Sequence, residues 1–158
     1  MIKISRLTDY AIVILSQMVR DDQPVFSASE LAEKSRLPLP TTSKILKKLT
    51  KNNIVVAQRG AMGGYKLQFS AQRLSVAAII EAMDGPIAVT DCANHPVIEV
   101  CRIESICPMR TNWNRVNRVL RKALEEVSLA DMLNGDMTRV DGTMTSQTAS
   151  AEKRLQRA

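Results

Sequence analysis

Pro38 and Pro40 break the chain twice within three residues, between two segments of helical apolar spacing. Proline has no N–H to donate and a fixed φ, so neither position can sit inside a continuing helix, although Pro40 suits the first turn of a new one. One long helix is therefore forbidden here, and two helices joined by a tight turn are expected. The first of the two opens at Ser27-Ala28-Ser29-Glu30, a capping box in which hydroxyl and carboxylate satisfy each other's backbone donors. It buries Leu31 and Ala32. The second carries Ile45, Leu46 and Leu49 on one face. An earlier helix precedes both, with Leu7, Ala11, Ile14, Leu15 and Met18 on one stripe, Ser5 or Thr8 as its cap, and Asp21, Asp22 and Pro24 at its end.

The outer face of the helix after Pro40 presents Thr41, Ser43, Lys44, Lys47, Lys48 and Lys51, and no acid stands between Thr41 and Asn52. With Thr42 these form the candidate DNA-binding set on this helix. Lysine and threonine bond phosphate oxygens, while short side chains at a helix start let the backbone approach base edges in a major groove about 12 Å wide. The wider charge distribution agrees: residues 1 to 75 hold 12 Lys and Arg against 5 Asp and Glu, whereas residues 76 to 133 hold 6 against 8. A basic half joined to a near-neutral half indicates a polyanion-binding module fused to something else. Beyond the basic helix, Ile54-Val55-Val56 reads as a strand, Arg59 to Gly64 as a glycine-rich turn, and Tyr65 to Phe69 as the returning strand. Helix, short helix, basic helix and hairpin in this order make a winged helix-turn-helix, with Arg59 in the wing placed to meet the DNA backbone or minor groove.

The fold class expected is mainly α with a small β-wing, a winged helix-turn-helix domain over residues 1–86 followed by a long dimerisation helix. Ser75 caps a helix over Val76 to Met83 that Asp84-Gly85-Pro86 ends. Residues 87–108 form an irregular cysteine-bearing loop, of a length uncommon unless functional. From Met109 a long helix runs to about Val127, and Trp113, Val116, Leu120, Ala123 and Val127 repeat as a heptad seam suited to pairing with a second copy. A short capped turn at Ser128 to Asp131 completes the segment 109–133. Residues 134–158 fall to Gly, Thr, Ser, Gln and scattered charges and are expected to form a disordered tail.

Composition excludes several classes. Aromatic residues make up 3% of the chain and there is one His, which leaves few rings for stacking unpaired bases and argues against histidine-based catalysis. No run approaches the roughly 18 apolar residues of a membrane span. A cytoplasmic protein that is not an enzyme is expected. Its three cysteines, Cys92, Cys101 and Cys107, all fall in the loop. An odd number of thiols makes no disulfide framework in a reducing compartment. As thiolates they are soft ligands suited to zinc or an iron-sulfur cluster. Their spacing lacks the tight C-x2-C knuckles of structural zinc, and the long gaps suit a bulkier cluster better. Asp91 and His95 lie nearby in sequence, and a four-ligand site needs one donor more than the cysteines supply.

Over residues 1 to about 133 the chain resembles the winged-helix iron-sulfur transcription regulators of the IscR and NsrR type. The resemblance is carried by Leu7-Thr8-Asp9-Tyr10-Ala11, by Arg59-Gly60-x-x-Gly63-Gly64-Tyr65-x-Leu67, by Glu81-Ala82-Met83-Asp84-Gly85-Pro86 and by the three cysteines. Cys107-Pro108-x-Arg110-x-Asn112-Trp113-x-x-Val116-Asn117 is most similar to the branch that regulates the SUF cluster-assembly system. The resemblance implies a homodimer joined through the long helix, a palindromic operator, and a 2Fe-2S or 4Fe-4S cluster held by Cys92, Cys101 and Cys107 whose occupancy changes DNA binding. Two departures stand out: the first cysteine gap is longer than in IscR and NsrR members, and Arg110 stands near the place of the IscR histidine ligand. In NsrR members an aspartate on the first helix of the other subunit completes the site, and Asp9 matches that position, with His95 as its rival. The nearest alternative implied is a nitric-oxide-sensing repressor of the NsrR kind. A zinc-stabilised or redox-active protein with no regulatory role is the alternative from a different class.

Overall fold

The computed structural model describes residues 3–21, 23–60, 63–90 and 107–134. Three helices come first: α1 (Arg6–Arg20), α2 (Ala28–Ser35) and α3 (Leu39–Lys51). A two-stranded antiparallel hairpin of β1 (Val55–Gln58) and β2 (Gly64–Leu67) follows, paired Val55 to Leu67 through Gln58 to Gly64. Then come α4 (Val76–Asp84), the long α5 (Arg110–Glu126) and the short α6 (Leu129–Asn134). The protein is mainly helical with a small antiparallel wing.

Helices α1, α2 and α4 start where their sequence caps them. Ser5 accepts from the Thr8 N–H at the head of α1, Ser27 and Glu30 form the reciprocal capping box of α2, and Ser75 accepts from the Ala78 N–H at α4. α3 has no side-chain cap and uses Pro40 in its first turn instead. Its start lies one residue earlier than the proline, at Leu39. The turn from α2 into α3 is closed by Arg36 in the left-handed region, φ 53°, with its N–H on Glu33 and the Leu37 N–H on the Ala32 carbonyl.

One apolar core joins the elements. Ala11, Ile14 and Leu15 of α1, Leu31 of α2, Ile45, Leu46 and Leu49 of α3, Ile79 and Met83 of α4 and Leu129 of α6 all bury against one another. Phe26, in the connection before α2, is 1% exposed, and its full burial is worth on the order of 2–3 kcal/mol. Its backbone exchanges two hydrogen bonds with Tyr65, at 2.9 and 2.7 Å, which adds a third bridged segment to the wing.

The hairpin strands are shifted from the sequence expectation. Ile54 precedes β1, following Asn53 at φ 57°, and Phe69 lies beyond β2 with 43% of its surface exposed. Gly63 and Gly64 are demanded by close approach. A Cβ at Gly63 would stand 2.5 Å from the Gln58 carbonyl oxygen, and one at Gly64 would stand 2.5 Å from that of Phe26.

The end of α5 returns to the domain. Val127 accepts from the Val76 N–H at 2.8 Å, the Leu129 N–H donates to Leu74 at 2.8 Å, and Val127 packs in a small apolar cluster with Val76 and Ile80. The heptad reading placed Val127 on a seam for a second copy. It is instead 8% exposed in its own chain, because the helix ends there and the chain must turn back to bury α6. Among the described residues, no helix is long and apolar enough to cross a membrane.

Candidate nucleic-acid interface and cysteine segment

Helix α3 sorts its residues cleanly by face. Thr42, Ile45, Leu46 and Leu49 are buried, while Ser43, Lys44, Lys47, Lys48 and Lys51 are exposed and Thr41 is half-buried. Thr42 is therefore removed from the DNA-reading set. It lies three and four residues ahead of Ile45 and Leu46 and so shares their inward face, where its hydroxyl donates back to the Pro38 carbonyl at 3.3 Å. The residues left outward make an acid-free basic face, and Arg59 is exposed at the tip of the wing. Leu39, at the first position of α3, is 46% exposed. An apolar side chain there is suited to contact a thymine methyl group. Sequence reading passed over it because hydrophobic spacing assigns leucines to the core.

Lys48 is deployed differently from its neighbours. Its Nζ donates to the Met83 carbonyl at 2.6 Å, and the Asn52 Nδ2 donates to the Ala82 carbonyl at 3.0 Å. Both acceptors are in the last turn of α4, whose carbonyls lack partners within the helix and carry its partial negative charge. The next residue, Asp84, grips the other side of the core. Its carboxylate accepts from the Ser5 hydroxyl at 2.7 Å, the fully buried Thr8 hydroxyl at 2.7 Å and the Ser5 N–H at 3.3 Å. Partial burial opposes ionisation of Asp84. The hydrogen bonds from Ser5 and Thr8, with the nearby Lys48 charge, outweigh it and hold the carboxyl below its ordinary value.

Of the proposed metal ligands, Cys107 is described: it is a half-buried free thiol three residues ahead of α5. Asp9 is exposed on the first turn of α1. Cys92, Cys101, Asp91 and His95 lie outside the described residues, as does the tail expected over residues 134–158 except for Asn134, which ends α6. Among the described residues, no group of three or more metal-ligating side chains comes together. The three thiols in the sequence are the soft donors that suit an iron-sulfur cluster, and a carboxylate would be a harder fourth donor.

Helix α5 has two faces. Asn117 donates to the Ile87 carbonyl at 3.0 Å and accepts from the Val89 N–H at 3.2 Å, so it holds the chain beyond α4 against the helix. Arg121 pairs with Glu81 of α4 at 3.1 Å. Met109, just before the helix, and Trp113, Val116 and Val119 on it are exposed, at 49%, 42%, 48% and 65%, with Trp113 one turn ahead of Asn117. The exposed apolar stripe thus includes Val119, which the heptad omitted, and excludes Val127.

The Rrf2 family, described as iron-dependent transcriptional regulators, matches this sequence over residues 4–135. The chain belongs to the Rrf2 family. Among curated relatives, the HTH-type transcriptional regulator NsrR of Oceanobacillus iheyensis is 27% identical over 138 residues, covering 84% of this chain and 90% of its own. The HTH-type transcriptional regulator IscR of Yersinia pseudotuberculosis is 28% identical over 113 residues, covering 72% and 66%. Of solved structures, CymR, titled the global cysteine regulator of B. subtilis, superposes with a TM-score of 0.62 at 23% identity, over 85% of this chain and 98% of that one. That likeness speaks for the Rrf2 winged-helix fold. The relatives are named as transcriptional regulators and not as enzymes, and this chain is an Rrf2-type transcriptional regulator.

Proposed function

We propose that this regulator senses an iron-sulfur cluster, binds palindromic operator DNA as a homodimer, and governs iron-sulfur assembly genes of the SUF type. The observation that carries the reading is the pairing of an acid-free, exposed basic face on α3 with three thiols in one segment between α4 and α5. Cys92, Cys101 and Cys107 would hold the cluster, with Asp9 of the partner subunit as the fourth donor. When bound, such a cluster supplies a redox- and ligand-sensitive centre that absorbs in the visible. The protein's own part is to carry the reading helix. Lys47 and Lys51 contact phosphates, while Ser43, Lys44 and Arg59 reach base edges or the minor groove. The exposed stripe of Met109, Trp113, Val116 and Val119 supports pairing of two copies, and a two-fold dimer reads a palindrome.

The test is anaerobic purification followed by visible and Mössbauer spectroscopy of the protein and of Cys92→Ala, Cys101→Ala and Cys107→Ala. Visible absorbance in the parent and its loss in each variant is expected. Normal iron content in all three variants would overturn the reading, and a colourless zinc protein would replace it with a structural metal site. A nitric-oxide sensor is the second reading, favoured by the exposed position of Asp9 at the place of the NsrR carboxylate ligand. It predicts that nitric oxide abolishes DNA binding at concentrations stoichiometric with cluster.

A further inference from the structure

We infer that Lys48, Asn52 and Asp84 are positioning residues for DNA reading: they lock the recognition helix α3 and the first helix α1 onto the last turn of α4, and Lys48 is not a phosphate contact. The inference rests on the DNA-binding reading above and names how its reading helix is held.

Three observations converge on one turn of chain. From α3, Lys48 and Asn52 donate to the consecutive carbonyls of Met83 and Ala82. From α1, Ser5 and Thr8 donate to the next residue, Asp84, through two hydroxyls and a backbone N–H. After Asp84 the chain turns at Gly85, φ 93°, and reaches Ile87 and Val89, both hydrogen-bonded to Asn117 of α5. The last turn of α4 therefore joins the helix that faces DNA, the helix it packs against, and the helix that carries the exposed apolar stripe.

The physical consequence is a choice between two uses of one lysine. Three donors on a flexible four-carbon stem can meet either a phosphate or the orphan carbonyls of α4. Engaged with Met83, whose carbonyl lies at the negative end of the α4 dipole and beside the Asp84 carboxylate, the Lys48 charge is already compensated within the fold. Lys44, Lys47 and Lys51 project from α3 without such an internal acceptor among the hydrogen bonds and ion pairs of the described residues, so the polyanion-facing charge of the helix is theirs. Gly85 allows the connection to leave α4 sharply. A Cβ there meets nothing within 4 Å, so a substitution would be resisted by backbone conformation alone.

The two uses differ in how DNA binding responds to salt. A phosphate contact contributes to every sequence alike and, when removed, lowers the slope of log K against log[salt] by about 1. A positioning residue leaves the slope and the non-specific affinity in place and lowers operator affinity alone. Losing hydrogen bonds of this kind is expected to weaken operator binding about three- to tenfold. Asp84 sharpens the contrast. Replacing an acid by a neutral side chain strengthens binding to a polyanion if the charge acts through space, and weakens operator binding if the carboxylate holds α1 in place.

The experiment uses the full chain and a duplex enriched by it from a random pool, with a scrambled duplex as the non-specific reference, titrated at several salt concentrations. Lys48→Met, Asn52→Ala and Asp84→Asn are compared with Lys47→Met, and circular dichroism identifies variants that fail to fold. Ser5→Ala, a milder loosening of the Asp84 grip, stands in if Asp84→Asn unfolds. Expected are a three- to tenfold loss for the enriched duplex in Lys48→Met, Asn52→Ala and Asp84→Asn with the salt slope of the parent, against a reduced slope in Lys47→Met. A Lys48→Met slope reduced to match Lys47→Met, with equal loss on both duplexes, overturns the inference while leaving the DNA-binding reading intact. Tighter enriched-duplex binding by Asp84→Asn overturns it as well. If the parent enriches no duplex, the DNA-binding reading itself fails and the inference falls with it.

Discussion

Thr8 shows how much one buried hydroxyl can carry. It is fully buried, and its hydroxyl donates to the Asp84 carboxylate. Because the hydrogen-bonded carboxyl titrates below its ordinary value, it contributes stability that is present above the unfolded value of about 3.9 and is lost as pH falls through the lower folded value. Thr8→Val, which keeps the shape and removes the donor, is expected to cost about 1–2 kcal/mol at pH 7 and less at a pH below the folded value of the carboxyl. Urea midpoints at the two pH values check this, and an equal loss at both would mean that packing, not the carboxylate, sets the cost. A second residue-scale expectation concerns Gly64, where a Cβ would press on the Phe26 carbonyl and on the Val25 side chain at 2.7 Å. Gly64→Ala should lower stability by about 1–3 kcal/mol through a shift of the Phe26 bridge, measured by denaturant unfolding. In the resemblance to IscR and NsrR regulators this glycine is one letter of the Arg59 to Leu67 motif. The structure supplies its reason, a backbone approach from a segment nearly forty residues away in sequence that no local pattern could announce.

At the scale of elements, the helices were legible because capping and apolar periodicity are local. Ser5, the Ser27 and Glu30 pair and Ser75 all head helices, and Pro40 falls in the first turn of α3. Faces were less legible at their margins. Thr42 looked polar and outward, yet it shares the inward face of Ile45 and Leu46. Val127 continued a heptad, yet the helix ends beneath it. Sequence spacing gives the period of a face but not which neighbour covers it, and here α4 meets Arg121 and Leu124 of α5 while Ile87 and Val89, beyond α4, hold Asn117. The remaining stripe makes a prediction for the proposed dimer. Val119→Glu, at the most exposed apolar position of α5, should leave secondary structure unchanged and shift the protein toward monomer in sedimentation velocity. Val127→Glu should instead destabilise the fold itself, since that side chain is packed with Val76 and Ile80. Identical effects of the two substitutions would argue against the stripe as a pairing surface.

For the whole molecule, the question is how a change near the cysteines reaches DNA. Asp9 projects from the same first turn of α1 that Asp84 grips through Ser5 and Thr8. A carboxylate that bound iron across the dimer would therefore pull on the helix packed against α3. Asp9→Ala is expected to retain much of its visible absorbance through the three thiolates while its operator affinity no longer differs between iron-loaded and iron-free protein. Normal switching in this variant, read by fluorescence anisotropy on both forms, would make Asp9 a helix-start acid and return the fourth position to His95 or another donor.

What the sequence determined by itself was the order and kind of elements, the basic character of α3 and the concentration of thiols in one segment. These depend on residue type at short spacing, through proline geometry, capping hydroxyls and charge that cannot be hidden by folding. Only the tertiary structure decided that Lys48 turns to Met83, that Thr8 reaches Asp84 across 76 residues, and that Phe26 extends the wing. Such contacts answer the demand that polar groups left over at helix ends find partners. Which partners they find depends on how the helices pack, and packing is fixed by the whole core at once.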